Sequence, residues 1–145
     1  MALVVVAAIG LRVKQFVDQK HPHLAEVTVA GHVFRAEIAD TDAKKELGLG
    51  NRDSLSVDAA MIFPMGSLRR WVFWMKDMRF PIDIVWIADN SVVDISANAP
   101  VPSPNSDPVT FSPSDPADTV LELNAGDANR YGIRVGAGVQ VRVLK

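Results

Sequence analysis

The sequence contains no cysteine. This absence excludes disulfide bonds, thiolate metal ligands and a cysteine nucleophile, and it leaves the redox state of the compartment open. Strong charge of either sign is also missing, because 15 basic and 17 acidic residues give a formal net charge of -2. A chain without a positive field has little to attract a phosphate backbone, so the composition predicts no nucleic-acid partner.

The signatures of several well-defined enzyme classes are absent as well. The chain has no glycine-rich phosphate loop, no Gly-x-Ser-x-Gly nucleophile elbow and no His-Glu-x-x-His motif. Its histidines are His21, His23 and His32, which lie in a polar segment and in a predicted turn. Surface positions of this kind are more common than metal ligands. The sequence therefore predicts no metal site and no cofactor.

An apolar run stands at the N-terminus, where residues 2–11 precede Arg12 and Lys14. A spanning helix needs roughly 20 apolar residues, whereas a signal-peptide core needs about 7 to 15. We interpret residues 1–23 as an apolar segment and linker that is a signal or anchor remnant, or else an element packed on the domain. The first interpretation predicts an exported or membrane-anchored protein whose domain lies outside the cytoplasm. The segment would then contact a membrane or a protein partner.

Residues 24–145 are predicted to form one domain, since a chain of this length suits a single core. Apolar and polar residues alternate at the strand period in 25–29 and 34–38, around a hairpin turn at Gly31-His32. Asp40 or Thr41 caps a short helix that ends at Gly48 or Gly50. Further strands are predicted at 60–63, 70–75, 82–88, 92–96, 119–123 and 139–143, with turns at 65–67, 79–81 and 89–90 and a short helix at 127–131.

This pattern of many short strands and two short helices predicts a mostly β, single-domain barrel or sandwich. One stretch departs from it, because six of the nine prolines lie between Asn98 and Asp118. Proline lacks the N–H that a strand ladder needs, so this stretch is not a central strand. Long loops inside compact domains are often functional. We therefore expect residues 101–117 to form a movable cover over a site.

Lone charged residues interrupt the apolar strands. Asp83 lies between two isoleucines and Glu122 between two leucines, so each carboxylate projects away from its neighbours. One interpretation is a solvent-facing position, or a structural ion pair with Lys76. The other is that polar residues converge in a pocket under the proline-rich loop, with Asp77 and Trp86 nearby. The candidate ligand-binding residues of that pocket are Trp74, Lys76, Asp83, Asn98, Glu122 and Asn124.

Aromatic rings beside carboxylates and amides suit a sugar, because a ring covers apolar C–H surface while polar groups fix the orientation. The favoured function is a small binding or interaction module for a carbohydrate or another small polar ligand of the cell envelope. One alternative is an enzyme that uses Asp83 and Glu122 as acid and base on a carbohydrate or cell-wall component. The other is a structural subunit that docks through its apolar N-terminus into a membrane-associated assembly.

Four blocks of sequence resemble a known family. They are Phe73-Trp74-Met75-Lys76, Pro81-Ile82-Asp83-Ile84, Asn98-Ala99-Pro100 and Val120-Leu121-Glu122-Leu123-Asn124-Ala125-Gly126. In this order they resemble the bacterial and archaeal family called domain of unknown function 192. The resemblance implies a compact, mostly β fold and association with the cell envelope, but no substrate, cofactor or catalytic residue. The chain departs from the family pattern at Gly50, Asp77 and Ala137, where methionine, asparagine and aspartate are common.

Overall fold

The computed structural model describes residues 22–145. The predicted signal or anchor within residues 1–23 therefore lies outside the described residues, except for Pro22 and His23. Within 22–145, no helix has both the length and the apolar character needed to cross a membrane.

The described residues form nine strands and two short helices. In chain order they are β1 Leu24–Val29, β2 His32–Ile38, α1 Asp42–Leu47, β3 Ala59–Arg69, β4 Phe73–Trp74, β5 Ile82–Ala88, β6 Ser91–Ala99, β7 Thr110–Phe111, β8 Ala117–Asn124, α2 Asp127–Arg130 and β9 Val139–Val143. The predicted mostly β fold with two short helices is confirmed.

Seven of these strands form one sheet in the order β6-β5-β8-β3-β2-β1-β9, and β4 pairs with β7 in a second, small sheet. All neighbours in the large sheet are antiparallel except β2 and β3. A parallel pair needs a crossover connection, and α1 lies in that connection. Of the two predicted architectures, the sandwich-like one describes this arrangement. Across residues 22–145 the edge strands β6 and β9 form no continuous ladder that would close a barrel, but one bridge joins Ser91 to Gly138, and backbone hydrogen bonds connect residues 90–92 with 136–139.

The large sheet is buried on both faces. One face, here called the Phe34 face, carries a core that includes Val27, Phe34, Val85, Leu121 and Leu123. The other, here called the Trp86 face, carries a core that includes Met61, Phe63, Ile84, Trp86 and Val120. Neighbouring residues of a strand point to opposite faces, so β5 and β8 contribute to both cores. This double burial explains why charged residues inside those two strands are not solvent-facing.

Local sequence explains several element boundaries. Thr41 begins α1 because its side-chain oxygen accepts a hydrogen bond from the N–H of Lys44 at 3.2 Å, as predicted from the capping rule. The β1–β2 hairpin is also confirmed, but its turn is Ala30-Gly31, and His32 belongs to β2. Both turn residues have positive φ, 51° and 75°. Two-residue hairpin turns of this type require that conformation, which places the turn one residue earlier than predicted.

Two other expectations were wrong. The predicted turn at 65–67 lies inside β3, where the register with β8 shifts between Pro64 and Arg69. The predicted strand 70–75 is reduced to the two residues of β4, which pair only with β7. Proline cannot donate to the ladder, and strands often bulge at such positions. The proline-rich stretch contains the short strand β7, which lies at an edge and so agrees with the expectation that this stretch is not a central strand.

Candidate functional site

A pocket of about 350 Å³ opens on the Trp86 face, between the end of α1 and strands β3, β4 and β8. Small-molecule sites begin at about this size. Its walls are mostly apolar and are formed by Leu47, Leu49, Met65, Val72, Phe73, Trp74 and Met78. The polar side chains that line it are Lys45, Glu46, Lys76 and Glu122. We call this cavity the Glu122 pocket.

Glu122 lies deep in this pocket, on the central strand β8. It pairs with Met61 of β3 on one side and with Ile84 of β5 on the other. The residue is only 5% exposed. Its Oε2 atom is buried and has no hydrogen-bond partner among the described residues. The fold therefore holds a carboxyl oxygen in an apolar cavity without satisfying it.

Burial raises the pKa of Glu122 to about 8, and the nearby positive charge of Arg52 opposes this shift only in part. Arg52 is engaged elsewhere: its Nη1 and Nη2 atoms donate to the two carboxylate oxygens of Glu37 at 2.6 and 2.8 Å. These hydrogen bonds lower the pKa of Glu37. At pH 7 the Glu122 carboxyl is accordingly mostly protonated, and it offers an O–H donor to the pocket.

The end of α1 packs against Glu122 at a residue without a side chain, Gly48. Gly48 has φ 52° and ψ -131°, a backbone conformation that strains any residue with a side chain. A Cβ atom at this position would lie 3.6 Å from Oε2 of Glu122 and 3.5 Å from Cζ of Phe63. The helix end is fixed by a hydrogen bond from the Gly48 N–H to the carbonyl of Lys44 at 2.8 Å. Gly48 therefore serves the pocket as well as ending the helix.

Trp74 and Lys76 lie at the rim of the pocket. The Trp74 side chain is exposed enough to meet a ligand, with 44% of the residue accessible. The Nζ atom of Lys76 stands 5.1 Å from the centroid of the Trp74 ring, a cation–π arrangement. Of the six candidate residues, three thus meet at one pocket: Trp74, Lys76 and Glu122.

Asp83 does not join them. It pairs with Leu123, whereas Glu122 pairs with Ile84, so the two carboxylates project from opposite faces of the sheet. The Asp83 carboxylate is fully buried and accepts three backbone hydrogen bonds, from the N–H groups of Asn98 at 2.8 Å, Gly126 at 3.0 Å and Ala128 at 2.9 Å. It connects β5 to the end of β6 and to the start of α2.

The two asparagines also lie away from the pocket. The Asn124 amide donates to the carbonyls of Leu55 at 3.0 Å and Ser56 at 3.3 Å. Asn98 has a positive φ of 54°, and its N–H is one of the three that donate to the Asp83 carboxylate. The predicted convergence of all six residues is therefore not found.

The residues expected beside the site have structural contacts as well. Trp86 is fully buried, and its indole N–H donates to the hydroxyl of Ser96 at 3.0 Å. The carbonyl of Asp77 accepts from the N–H of Asn51 at 2.8 Å. The predicted ion pair between Lys76 and Asp83 or Glu122 is not among the salt bridges that residues 22–145 form.

The proline-rich loop supports the site without covering it. Its strand β7 pairs with β4, which carries Trp74, and the N–H of Met75 donates to the carbonyl of Val109 at 3.1 Å. Asp94 accepts from the N–H of Ser114 at 2.8 Å, and this bond ties the loop to β6. None of residues 101–117 lines the pocket. The expectation of a loop over the site is therefore wrong for this cavity.

The chemistry available in the pocket is that of one buried carboxyl group. Glu46, at the rim, is the other carboxylate that lines the cavity. Residues 22–145 contain no group of three or more His, Cys, Asp or Glu side chains placed to hold a metal ion. Sequence reasoning selected Glu122 from its apolar neighbours, but it missed Gly48, Leu49 and Met65. Gly48 and Leu49 reach the pocket through the α1 crossover and Met65 through the pairing of β3 with β8, and no local pattern reveals either.

Comparison with known proteins finds similarity over this whole region. The model of the family DUF192, described as "Uncharacterized ACR", matches residues 25–141, which include every residue that lines the pocket. No curated protein matches the sequence.

Two solved structures are similar to this chain. One is a protein of unknown function from Novosphingobium aromaticivorans, which is 36% identical with a TM-score of 0.74, over 81% of this chain and 84% of that one. The other is a Sinorhizobium meliloti protein provisionally described as a transcription regulator. It is 29% identical with a TM-score of 0.73, over 83% of this chain and 94% of that one.

Proposed function

Because this chain belongs to the DUF192 family, which is described as uncharacterised, we propose its function from the Glu122 pocket: it is a small ligand-binding module. The observation that carries this proposal is the buried, unpartnered Oε2 atom of Glu122 in a mostly apolar cavity. A buried polar group without a partner costs about 1–3 kcal/mol. A ligand that forms a hydrogen bond with this carboxyl group, which lines the pocket, offsets part of that cost when it binds.

The proposed ligand is a carbohydrate or a polar molecule of similar size. Trp74, which is 44% exposed, offers flat apolar surface at the rim, and Lys45, Glu46 and Lys76 offer polar groups there. This combination suits a molecule with one apolar face and several hydroxyl groups. A cavity of about 350 Å³ holds only a small ligand, so a longer chain of sugars would extend across the rim.

The proposal includes a location outside the cytoplasm, at the cell envelope, and rests there on the apolar run of residues 2–11. We do not extend the description of the S. meliloti protein to this chain. The present chain has a formal net charge of -2, which provides no positive field to attract a nucleic-acid backbone. This charge favours a small-molecule ligand over DNA.

Hydrolysis with a pair of carboxylates has weaker support. Such a mechanism needs an acid and a base in one cleft that flank the scissile bond, separated by about 5–10 Å. Asp83, the expected partner of Glu122, lies on the other face of the sheet with its oxygens bound to backbone N–H groups. We therefore propose binding rather than acid–base catalysis.

The experiment is a thermal-shift screen of the purified protein at pH 6.5 against sugars and cell-wall fragments. Ligands that bind only the folded state raise the melting temperature. We expect one chemical class to raise it in the wild type and in Leu68→Ala, and to lose most of the effect in Trp74→Ala. Leu68 is the matched control because it is a large apolar residue, 61% exposed on β3, outside the pocket. No rise with any compound, or equal rises in both variants, would contradict the proposal.

A further inference from the structure

We infer that Glu122 binds its ligand as a hydrogen-bond donor, so that the pocket selects ligands which insert an uncharged oxygen acceptor, such as a carbonyl or hydroxyl, over ligands which insert an ammonium group. This inference rests on the proposed function, because it concerns the ligand of the same pocket. It names the chemical class of the group that reaches the deep end of the cavity.

The first argument is what surrounds the carboxyl group. Met61 of β3 and Ile84 of β5 are its neighbours in the sheet, and Gly48 lies against Oε2 from the end of α1. None of these brings a charge. An ionised carboxylate in such surroundings would lose its hydration without gaining a hydrogen bond, whereas a neutral carboxyl is tolerated. The fold thus favours the protonated form, which has an O–H to donate.

The second argument is the sign of the nearby charges. Arg52 is close enough to influence Glu122, but Glu37 holds its guanidinium through two hydrogen bonds. At the rim, Lys45 and Lys76 outnumber the single carboxylate of Glu46. An ammonium group entering the pocket would pass two lysines and then approach Arg52, and it would also lose its own hydration. A neutral acceptor meets no charge repulsion and loses less hydration than an ammonium group.

The experiment compares two sugars of the same ring, N-acetylglucosamine and glucosamine, by NMR titration of the folded protein. At pH 6.0 glucosamine carries an ammonium group and N-acetylglucosamine is neutral with a carbonyl acceptor. We expect N-acetylglucosamine to bind more tightly, with shifts at Gly48 and Trp74. Tighter binding of glucosamine would overturn the inference while leaving the binding function in place. Absence of binding by both sugars would overturn the inference together with the proposed sugar ligand.

A second arm measures the affinity for N-acetylglucosamine, which has no titrating group, from pH 6 to pH 9. A pKa of about 8 for Glu122 means that roughly one molecule in ten remains protonated at pH 9, so we expect about a tenfold loss of affinity. Glu122→Gln keeps an N–H donor and cannot ionise. Any change of its affinity with pH should therefore come only from the other charged groups nearby, which are Glu37, Glu46, Lys45, Lys76 and Arg52. Equal pH profiles for the two proteins would overturn the inference.

Discussion

Replacing Glu122 by glutamine should make the protein more stable, and the gain should grow with pH. The carboxyl has a pKa of about 8 in the folded protein and an ordinary value of 4.5. Between these values the folded state keeps a proton that the unfolded state has released. Rising pH then favours the unfolded state, because the free energy of unfolding falls wherever the folded state binds more protons. Glutamine is neutral throughout and carries no such penalty.

The magnitude follows from the size of the pKa difference. Each unit corresponds to about 1.4 kcal/mol, so the step from 4.5 to about 8 gives a full effect on the order of 5 kcal/mol above pH 8. At pH 7 only the part between 4.5 and 7 has accumulated, which is about 3 kcal/mol. Below pH 4 the two proteins should differ by little more than the exchange of a hydroxyl for an amide.

The assay is urea unfolding of both proteins at one-unit intervals from pH 4 to pH 9. Other groups with shifted pKa values, such as Glu37 beside Arg52, are present in both proteins and largely cancel in the difference. We expect the difference in unfolding free energy to rise between pH 5 and pH 8 and then to level off. A difference that stays constant over the whole range would show that Glu122 titrates alike in both states, and the argument from burial would be wrong.

Three further predictions concern the neighbours of Glu122 and its counterpart on the other face. Arg52→Met should raise the pKa of Glu122 further, because it removes the positive charge that lowers it; a carboxyl NMR titration whose midpoint does not move upward contradicts this. Asp83→Ala should cost about 3–5 kcal/mol in urea unfolding, because three buried N–H groups lose their charged acceptor, and a loss below about 1 kcal/mol would refute the structural role. Gly48→Ala should weaken ligand binding more than Gly66→Ala does: both glycines have positive φ, so both variants carry backbone strain, but only the Gly48 Cβ would stand in van der Waals contact with Oε2 of Glu122, at 3.6 Å. Equal losses of affinity in the two variants would show that the added Cβ does not affect the pocket.

Much of the fold was predictable because its signals are local. Thr41 and Gly48 bound α1 through a side-chain cap and a positive φ, and the short apolar runs at 82–88 and 119–123 mark β5 and β8. The elements that sequence reasoning missed depend on distant partners. β7 forms because Thr110 and Phe111 pair with β4. β3 continues through Gly66 because its pairing with β8 resumes at Arg69.

The site was predictable only in part for a related reason. Alternation along a strand says that Asp83 and Glu122 each point away from their apolar neighbours, but not towards which face. That assignment requires the register between β5 and β8. The pairing of Asp83 with Leu123, instead of Glu122, places the two carboxylates on opposite sides. A shift of one residue would have brought them together as the sequence analysis expected.

The contrast between these two carboxylates also bears on function. Asp83 contributes to the fold, since each of its hydrogen bonds fixes backbone that would otherwise have a buried, unsatisfied N–H. Glu122 does the opposite: it has an unpartnered oxygen, and its raised pKa makes the folded protein less stable as pH rises. We expect glutamine at the same position to give a more stable folded protein as pH rises. A residue that weakens the fold while it lines a cavity is therefore explained by what enters the cavity rather than by the packing around it.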